Sequence, residues 1–257
     1  MTEPSRSSVE IGDRSLSTST MLGGRPTIVL LHDGLGSIAQ WRSVPQLVAD
    51  HTGSEVFAYD RSGHGSSRPT PDGPWPADWL EREADVLEQL LDLLGIERPI
   101  LVGHSDGGSI ALIHAMRFHR AAGVVAIAAH SWVEDAAVDH IAGLRGAPAA
   151  VIAGLSVHHK DARAVFDAWS GVWTSDAFRT WDLRPTLAAI DVPVLVVQGS
   201  DDEYATDAQA VETARAIGDN ADHRLVPGGH LLHHDHPEVV AELVAQFATR
   251  IEDDGSS

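Results

Sequence analysis

Short, continuously apolar segments alternate with longer amphipathic segments along most of the chain, and this alternation constrains the fold most strongly. The apolar segments are rich in valine and isoleucine, which is typical of strands buried on both faces of a parallel sheet. These segments are Thr27–Leu31, Glu55–Tyr59, Pro99–Gly103, Gly123–Ala129 and Pro193–Gly199. Between them, "ADWLEREADVLEQLLDLLG" repeats its leucines at helical spacing and ends on a glycine. We therefore predict an α/β fold, with a mostly parallel central sheet and helices on both faces.

Two regions depart from this alternation. The N-terminal "SVEIGDRSLSTST" predicts a β-hairpin of two short edge strands. Residues 133–187 contain no convincing strand, and four of the seven tryptophans lie in this region or directly before it. We predict that residues 1–132 and 188–257 form the core and that residues 133–187 form a small helical cap.

Composition excludes several classes of partner and chemistry. The formal net charge is −19 and Lys160 is the one lysine, so we expect no nucleic-acid and no membrane partner. The absence of cysteine removes disulfides, thiolate metal sites and a cysteine nucleophile. The first fifteen residues show no signal-peptide pattern, and the longest apolar run is too short to cross a bilayer. A cytoplasmic location is the expectation.

A Gly-x-Ser-x-Gly motif, "GHSDG" from Gly103 to Gly107, follows a predicted strand and precedes a predicted helix. A nucleophile elbow requires this context, because its serine sits on a sharp, strained turn. Glycines two residues before and after Ser105 avoid side chains that would collide with that turn. A helix N-terminus would also place backbone N–H groups near developing negative charge. The alternative is a glycine-rich turn that serves packing alone.

A serine hydroxyl needs a base, and "PGGHLLHHDHP" offers His230 directly after two glycines. His233, His234 and His236 compete with it, and their closeness raises the alternative of a metal site. No acidic or cysteine ligands accompany them at a recognised spacing, so we predict no metal.

Carboxylates that could orient this histidine follow the strand in "VVQGSDDEY". Asp201, Asp202 and Glu203 all stand at the carboxyl end of that strand, and physical reasoning alone does not choose between them. A carboxylate at this point would hold the imidazole tautomer and offset its charge. The chain order of serine, acid and histidine is that of a nucleophile-elbow hydrolase.

Taken together, these segments resemble the α/β-hydrolase fold superfamily over nearly the whole chain, in its serine-nucleophile, esterase- and lactonase-like branch. The segments that carry the resemblance are "LLHDGLGS", "DRSGHGSS", "VGHSDGGS", "VQGSDDEY" and "GGHLLHHDHPE". The resemblance implies an α/β-hydrolase fold with a catalytic triad of Ser105, Asp202 and His230. It also implies that "DRSGHGSS" is a structural turn.

The oxyanion hole follows from the same resemblance. "HDGLGS" is similar to the family's oxyanion loop, which implies backbone N–H donors from Leu35 and Asp106. The family commonly has His-Gly at the start of this loop, whereas Asp33 intervenes here before Gly34. Gly34 is therefore the alternative donor, and Asp33 either holds the loop or contacts the substrate.

The predicted function is hydrolysis of a carboxylic ester or lactone through an acyl-enzyme on Ser105, with no metal or organic cofactor. We expect a small to medium, largely apolar substrate. The protein partner considered is a second copy of the chain, in a homodimer. Predicted substrate contacts, with packing as the alternative role, are His130, Trp132, Trp169 and Trp173.

Two other functions stay open on the same fold. A carbon–carbon bond hydrolase would use the same triad and would need a basic residue for a substrate carboxylate. Basic candidates in or beside the cap are Arg145, Arg163, Arg179 and Arg184. The second alternative is a non-catalytic small-molecule receptor.

Overall fold

An eight-stranded sheet forms the centre of the computed structural model, which describes residues 3–255. The strands are β1 (Ser5–Ile11), β2 (Arg14–Met21), β3 (Gly24–Leu31), β4 (Ser54–Tyr59), β5 (Ile100–His104), β6 (Gly123–Ile127), β7 (Val194–Gly199) and β8 (Ala221–Val226). Their order in the sheet is β1-β2-β4-β3-β5-β6-β7-β8. The strands from β3 to β8 run parallel, and β2 pairs antiparallel with both β1 and β4. The predicted α/β class is confirmed.

The N-terminal hairpin differs from its prediction in one respect. β1 is an edge strand as expected, but β2 lies inside the sheet between β1 and β4. Its burial explains the difference, since Leu16 and Thr18 are almost fully covered. The hairpin therefore extends the parallel sheet instead of closing its edge.

Nine helices surround the sheet within residues 3–255. They are α1 (Val44–Thr52), α2 (Trp79–Leu94), α3 (Asp106–Phe118), α4 (Asp135–Gly146), α5 (Pro148–Leu155), α6 (Ala162–Trp173), α7 (Ala208–Ile217), α8 (Leu232–Asp235) and α9 (Pro237–Gly255). Alternate residues of each strand face opposite sides, so the core divides in two. One half packs α2, α3 and α7 on the sheet, and the other packs α1 and α9. No helix within this range combines the length and apolarity needed to span a membrane.

Residues 133–187, called the inserted segment below, leave the sheet after β6 and return to it at β7. The segment contains α4, α5 and α6, and its role as a cap stays a prediction. A backbone bridge between Trp132 and Asp182 joins its two ends. Phe166, Trp173 and Phe178 are almost fully buried in the same core half as α2 and α3. The segment is therefore packed onto the face of the molecule that carries the start of α3.

Candidate active site

Ser105 occupies the sharp turn between β5 and α3. Its backbone angles, φ 51° and ψ −122°, lie in a region that non-glycine residues seldom adopt. The Ser105 N–H donates to the Ile127 carbonyl at 2.8 Å and fixes the turn against β6. A Cβ atom added at Gly103 would lie 2.2 Å from the Gly107 carbonyl oxygen, and one at Gly107 would lie 2.1 Å from the Leu31 carbonyl oxygen. The two glycines are therefore required for the turn that presents Ser105.

His230 and Asp202 meet at the carboxyl ends of β8 and β7. The His230 Nδ1–H donates to Asp202, at 2.9 Å from Oδ2 and 3.1 Å from Oδ1. Asp202 also accepts a hydrogen bond from Gln198 Nε2 at 2.5 Å and from the Tyr204 N–H at 2.8 Å. Because Nδ1 carries the proton, Nε2 of the neutral imidazole is an acceptor. Of the three acids after β7, the structure pairs Asp202 with this histidine.

The two groups shift each other's pKa in opposite directions. Burial lowers the pKa of His230, but the hydrogen bond to Asp202 and its negative charge more than offset this and leave the pKa above its ordinary value. Burial raises the pKa of Asp202, and the same hydrogen bond and charge bring it below its ordinary value. The pair therefore favours an ionised Asp202 that stabilises positive charge on His230.

Four successive carbonyl groups of the loop after β3, those of residues 32–35, each accept a hydrogen bond from a side chain. Arg61 Nη1 donates to the His32 carbonyl at 2.5 Å, Arg61 Nη2 to that of Asp33 at 2.6 Å, His64 Nε2 to that of Gly34 at 3.0 Å, and His159 Nε2 to that of Leu35 at 2.8 Å. Arg61 and His64 come from "DRSGHGSS", and His159 comes from the inserted segment. Oriented carbonyls fix the orientation of the neighbouring N–H groups, which is the preorganisation that an oxyanion hole needs.

Within this loop, the Asp33 carboxylate holds the backbone. Its Oδ1 accepts the Leu35 N–H at 2.9 Å. The N–H groups of Gly34 and Asp106 have no hydrogen-bond acceptor among residues 3–255. Among the predicted oxyanion donors, Leu35 is thus already engaged, whereas Gly34 and Asp106 are unpaired. This contact favours the loop-holding alternative for Asp33.

His104 connects three parts of the site. It precedes Ser105, its Nε2–H donates to the His230 carbonyl at 2.8 Å, and its Nδ1 lies 3.5 Å from Asp33 Oδ2. Burial raises the pKa of Asp33, but the contact with His104 and the nearby His233 hold it well below its ordinary value. Asp33 is therefore an ionised carboxylate inside the protein.

His233 lies beside this pair. One potential ligand atom from each of Asp33, His104 and His233 lies within 4.8 Å of the others, which makes them a candidate metal-ligating group in the described part of the chain. The sequence analysis raised a metal site formed by His233, His234 and His236 as an alternative. It did not identify Asp33 as an acidic ligand of such a site. The absence of a metal stays a prediction.

Three of the four predicted substrate contacts surround the site. The His130 ring lies 5.1 Å from the Trp173 ring and 6.3 Å from the His230 ring, between centroids. Burial, with a contribution from the charge of His230, lowers the pKa of His130 to about 4, so His130 is neutral. The Trp169 indole N–H donates to Asp106 Oδ2 at 2.9 Å.

Trp132 is placed differently. Its ring lies under the Arg184 guanidinium, with 4.2 Å from that group to the ring centroid. None of its contacts recorded within residues 3–255 joins the ring to Ser105, Asp202 or His230. A substrate role for Trp132 stays a prediction that this geometry does not favour.

Sequence reasoning missed one residue that contacts the histidine, Tyr204, and considered a second, Glu203, only as a candidate orienting acid. The Tyr204 ring lies 4.4 Å from the His230 ring, and Glu203 Oε2 accepts the His230 backbone N–H at 3.2 Å. Both directly follow Asp202 in "SDDEY". The available signal was their position, since residues just past the acid occupy the same edge of the sheet.

These features define a class of protein, and comparison with known proteins agrees with it. Residues 28–243 match the model described as "Alpha/beta hydrolase family". The chain belongs to the alpha/beta hydrolase family.

The individual curated relatives match only part of the chain, at modest sequence identity. The chain is 31% identical over 142 residues to the sn-1-specific diacylglycerol lipase ABHD11 of Mus musculus, covering 55% of this chain and 45% of the relative. It is 34% identical over 90 residues to a proline iminopeptidase of Lactobacillus delbrueckii subsp. lactis, covering 35% of this chain and 31% of the relative. The chain thus spans less than half the length of these curated relatives.

Among solved structures, the chain is similar to the enol-lactonase from Burkholderia xenovorans LB400. The TM-score is 0.75 at 22% sequence identity, covering 95% of this chain and 100% of that chain. At this identity the likeness shows the fold alone.

Proposed function

We propose that the protein is a serine hydrolase that cleaves a carboxylic ester or lactone through an acyl-enzyme on Ser105. The observation that carries the proposal is the buried Asp202–His230 pair, whose geometry leaves His230 Nε2 as an acceptor. The elbow turn of Ser105 is tied to this pair through the preceding residue, because His104 donates to the His230 carbonyl. The relatives are consistent with it, since their names describe a lipase, an iminopeptidase and an enol-lactonase.

The proposed reaction has two steps. Ser105 Oγ attacks the substrate carbonyl carbon while His230 Nε2 takes its proton, and Asp202 stabilises the resulting imidazolium. The N–H groups of Gly34 and Asp106 hold the negative charge on the former carbonyl oxygen. His230 then protonates the departing alcohol oxygen. Water, deprotonated by His230, attacks the acyl-enzyme, and the acid leaves as Ser105 regains its proton.

We further propose that the inserted segment acts as a cap over this site. Trp169 of the segment donates to Asp106, the residue directly after Ser105, and His159 of the segment donates to the Leu35 carbonyl in the loop after β3. The aromatic side chains of the segment supply the apolar surface that a largely apolar acyl group needs.

Covalent labelling tests the proposal. A fluorophosphonate probe is expected to add one adduct to the native protein, because an activated serine attacks phosphorus as it attacks a carbonyl. Peptide mapping by mass spectrometry should place the adduct on Ser105. Ser109, the other serine of the same peptide region, and the heat-denatured protein serve as internal controls. Labelling at Ser109, or equal labelling after denaturation, contradicts an activated Ser105.

The pH dependence of turnover gives a second prediction. Only neutral His230 can act as the base, and its pKa is raised above the ordinary 6.5. Activity on an ester without ionisable groups should therefore fall as the pH falls through a value above 6.5. Measuring kcat/KM between about pH 5 and pH 9 locates this acid limb. A limb clearly below 6.5 contradicts the proposed support of His230 by Asp202.

The basic residues of the cap region do not favour the carbon–carbon hydrolase alternative, because each already has a hydrogen-bond or ion-pair partner. The four arginines of the cap region are engaged: Arg145 with Ser170, Arg163 with Asp167, Arg179 with Asp135, and Arg184 with Asp182. The side chains around the Ser105 turn and His230 include histidines as well as carboxylates and aromatic rings. The engagement of these arginines favours ester or lactone hydrolysis. The receptor alternative is tested separately, because product formation by a protein that reacts with the fluorophosphonate probe would identify an enzyme.

A further inference from the structure

A cavity of about 370 Å³ lies at the start of α2, where that helix meets the β1–β2 turn and the loop after β4. Small-molecule sites commonly enclose about 300–1,000 Å³, so this volume suits a small ligand. In the described part of the chain, the lining residues fall within positions 13–14, 61–76 and 79–83, which exclude Ser105, Asp202 and His230. The cavity is therefore separate from the proposed triad.

Flat apolar rings form part of the cavity wall. The Trp75 and Trp79 rings pack against each other, with 4.6 Å between centroids and 32° between planes. Three prolines, Pro69, Pro71 and Pro76, also line the cavity. Because indole faces stack on other aromatic rings, this wall favours a flat aromatic ligand.

The formal charges of the cavity lining balance. The lining contains three arginines and three acids, namely Arg14, Arg61 and Arg82 with Asp13, Asp72 and Glu83. Burial lowers the pKa of His64 to about 3, so its imidazole adds no charge near neutral pH. An anion or a cation would leave this balanced lining with a net charge, so a ligand without net charge fits it best.

Unpaired polar atoms of the lining residues indicate the polar group of the ligand. Arg61 Nε and Trp79 Nε1 are buried donors with no hydrogen-bond acceptor among residues 3–255, and Glu83 Oε2 is buried there without a donor. Arg61 is 2% and Trp79 is 4% exposed. Trp79 and Glu83 stand one turn apart on α2, so they share a face of the helix. A carboxamide presents a carbonyl acceptor beside an N–H donor, which complements this set.

Two lining residues also hold the loop after β3. The Nη atoms of Arg61 donate to the carbonyls of His32 and Asp33, and His64 Nε2 donates to the carbonyl of Gly34. Three of the four side-chain hydrogen bonds to this loop thus come from residues that line the cavity. A ligand in the cavity would contact the same side chains that orient the proposed oxyanion donors.

We infer that this cavity binds a neutral aromatic molecule that carries a carboxamide-type group, and that this ligand acts on the loop after β3. A bound ligand restricts Arg61 and His64, so it should hold the oxyanion donors more firmly and raise kcat. The binding does not depend on the proposed function, whereas the effect on kcat rests on it.

Three probes of the same shape test the ligand class by calorimetry at about pH 7. Benzamide is neutral, benzoate is an anion and benzamidine is a cation. Benzamide should bind most tightly, and Ser105→Ala should bind it as well as the wild type does, because Ser105 lies outside the cavity. Tighter binding of benzoate or benzamidine overturns the assignment of the ligand, and binding of none of the three overturns the site.

A tryptophan variant tests the location of the site. Trp75→Ala should weaken benzamide binding about 3- to 10-fold, the usual effect of one aromatic contact. Trp132→Ala is the matched control, because Trp132 is also half-buried but its ring packs against Arg184 instead. The control should bind benzamide like the wild type. Equal weakening in both variants, or none in Trp75→Ala, contradicts this location.

A charge variant keeps the location testable if Trp75→Ala does not fold. Glu83→Gln keeps the size of the side chain and removes one negative charge from the lining. It should narrow the preference for benzamide over benzoate by about two- to fivefold, the effect of one partly exposed charge. An unchanged preference would show that neither probe binds beside Glu83.

Steady-state kinetics tests the link to the loop, with ethyl butyrate as an ester that has no aromatic ring. Saturating benzamide should raise kcat of the wild type about fivefold, the lower end of the usual coupling between two sites, with little change in KM. A higher KM at constant kcat would show competition at the triad and would overturn the inference. Unchanged kcat with benzamide bound overturns the link to the loop. If the wild type hydrolyses no ester, the proposed function fails, and calorimetry still decides the site.

Discussion

Ser105→Ala is expected to lower kcat for an activated ester by about 10⁴- to 10⁶-fold, with little change in the melting temperature. The loss is this large because the variant has no oxygen nucleophile, while His230 and the backbone donors still bind and polarise the carbonyl. Residual hydrolysis above the uncatalysed rate would report those donors alone. Steady-state kinetics with a p-nitrophenyl ester, together with thermal unfolding, measures both quantities.

The control is Ser109→Ala, a serine one helical turn further along α3. Its hydroxyl donates to the His130 carbonyl at 2.6 Å and is not part of the proposed machinery. This variant should keep kcat within a few-fold of the wild type. Turnover that survives in Ser105→Ala but not in Ser109→Ala would reverse the assignment of the nucleophile.

Asp202→Asn should lower kcat by about 10³- to 10⁴-fold. An amide can occupy the same space, but it donates hydrogen bonds as well as accepting them and carries no charge. The imidazole then loses the partner that fixes its tautomer and stabilises its positive charge. Because Asp202 also raises the pKa of His230, the acid limb of the pH profile should move to lower pH in the variant.

Asp201→Asn provides the comparison, since Asp201 is exposed and precedes Asp202 in the same turn. It should leave both kcat and the acid limb close to those of the wild type. If Asp201→Asn causes the larger loss, the orienting acid has been assigned to the wrong residue. If neither variant matters, neither carboxylate orients the histidine and the proposed triad is wrong.

Most of the fold could be predicted from the sequence because the signals are local. A parallel strand must be apolar on both faces, so β3, β5, β6 and β7 are visible as short valine- and isoleucine-rich runs. The position of β2 inside the sheet could not be predicted in this way. It depends on pairing with β4, which lies far along the chain and which hairpin chemistry does not encode.

In the candidate site, too, local features could be predicted from the sequence and long-range contacts could not. Ser105 is marked by its own neighbours, because a strained turn demands two glycines. The choice of Asp202 by family spacing agrees with the contact that the structure shows, although catalysis by the triad stays a prediction. The contact of His159 could not be predicted, since His159 is 124 positions from the carbonyl to which it donates. Trp132 follows a strand end, and from there its ring could face either the site or Arg184.

The hydrogen bond from His159 to the Leu35 carbonyl makes the inserted segment part of the proposed catalytic geometry. One of the four clamps on the loop after β3 comes from a segment that would otherwise serve only to enclose the substrate. Shortening or exchanging that segment would therefore slow the chemical step as well as change substrate fit. Chimaeras with relatives should transfer the segment together with its loop, because a cap grafted alone would leave the oxyanion donors misaligned.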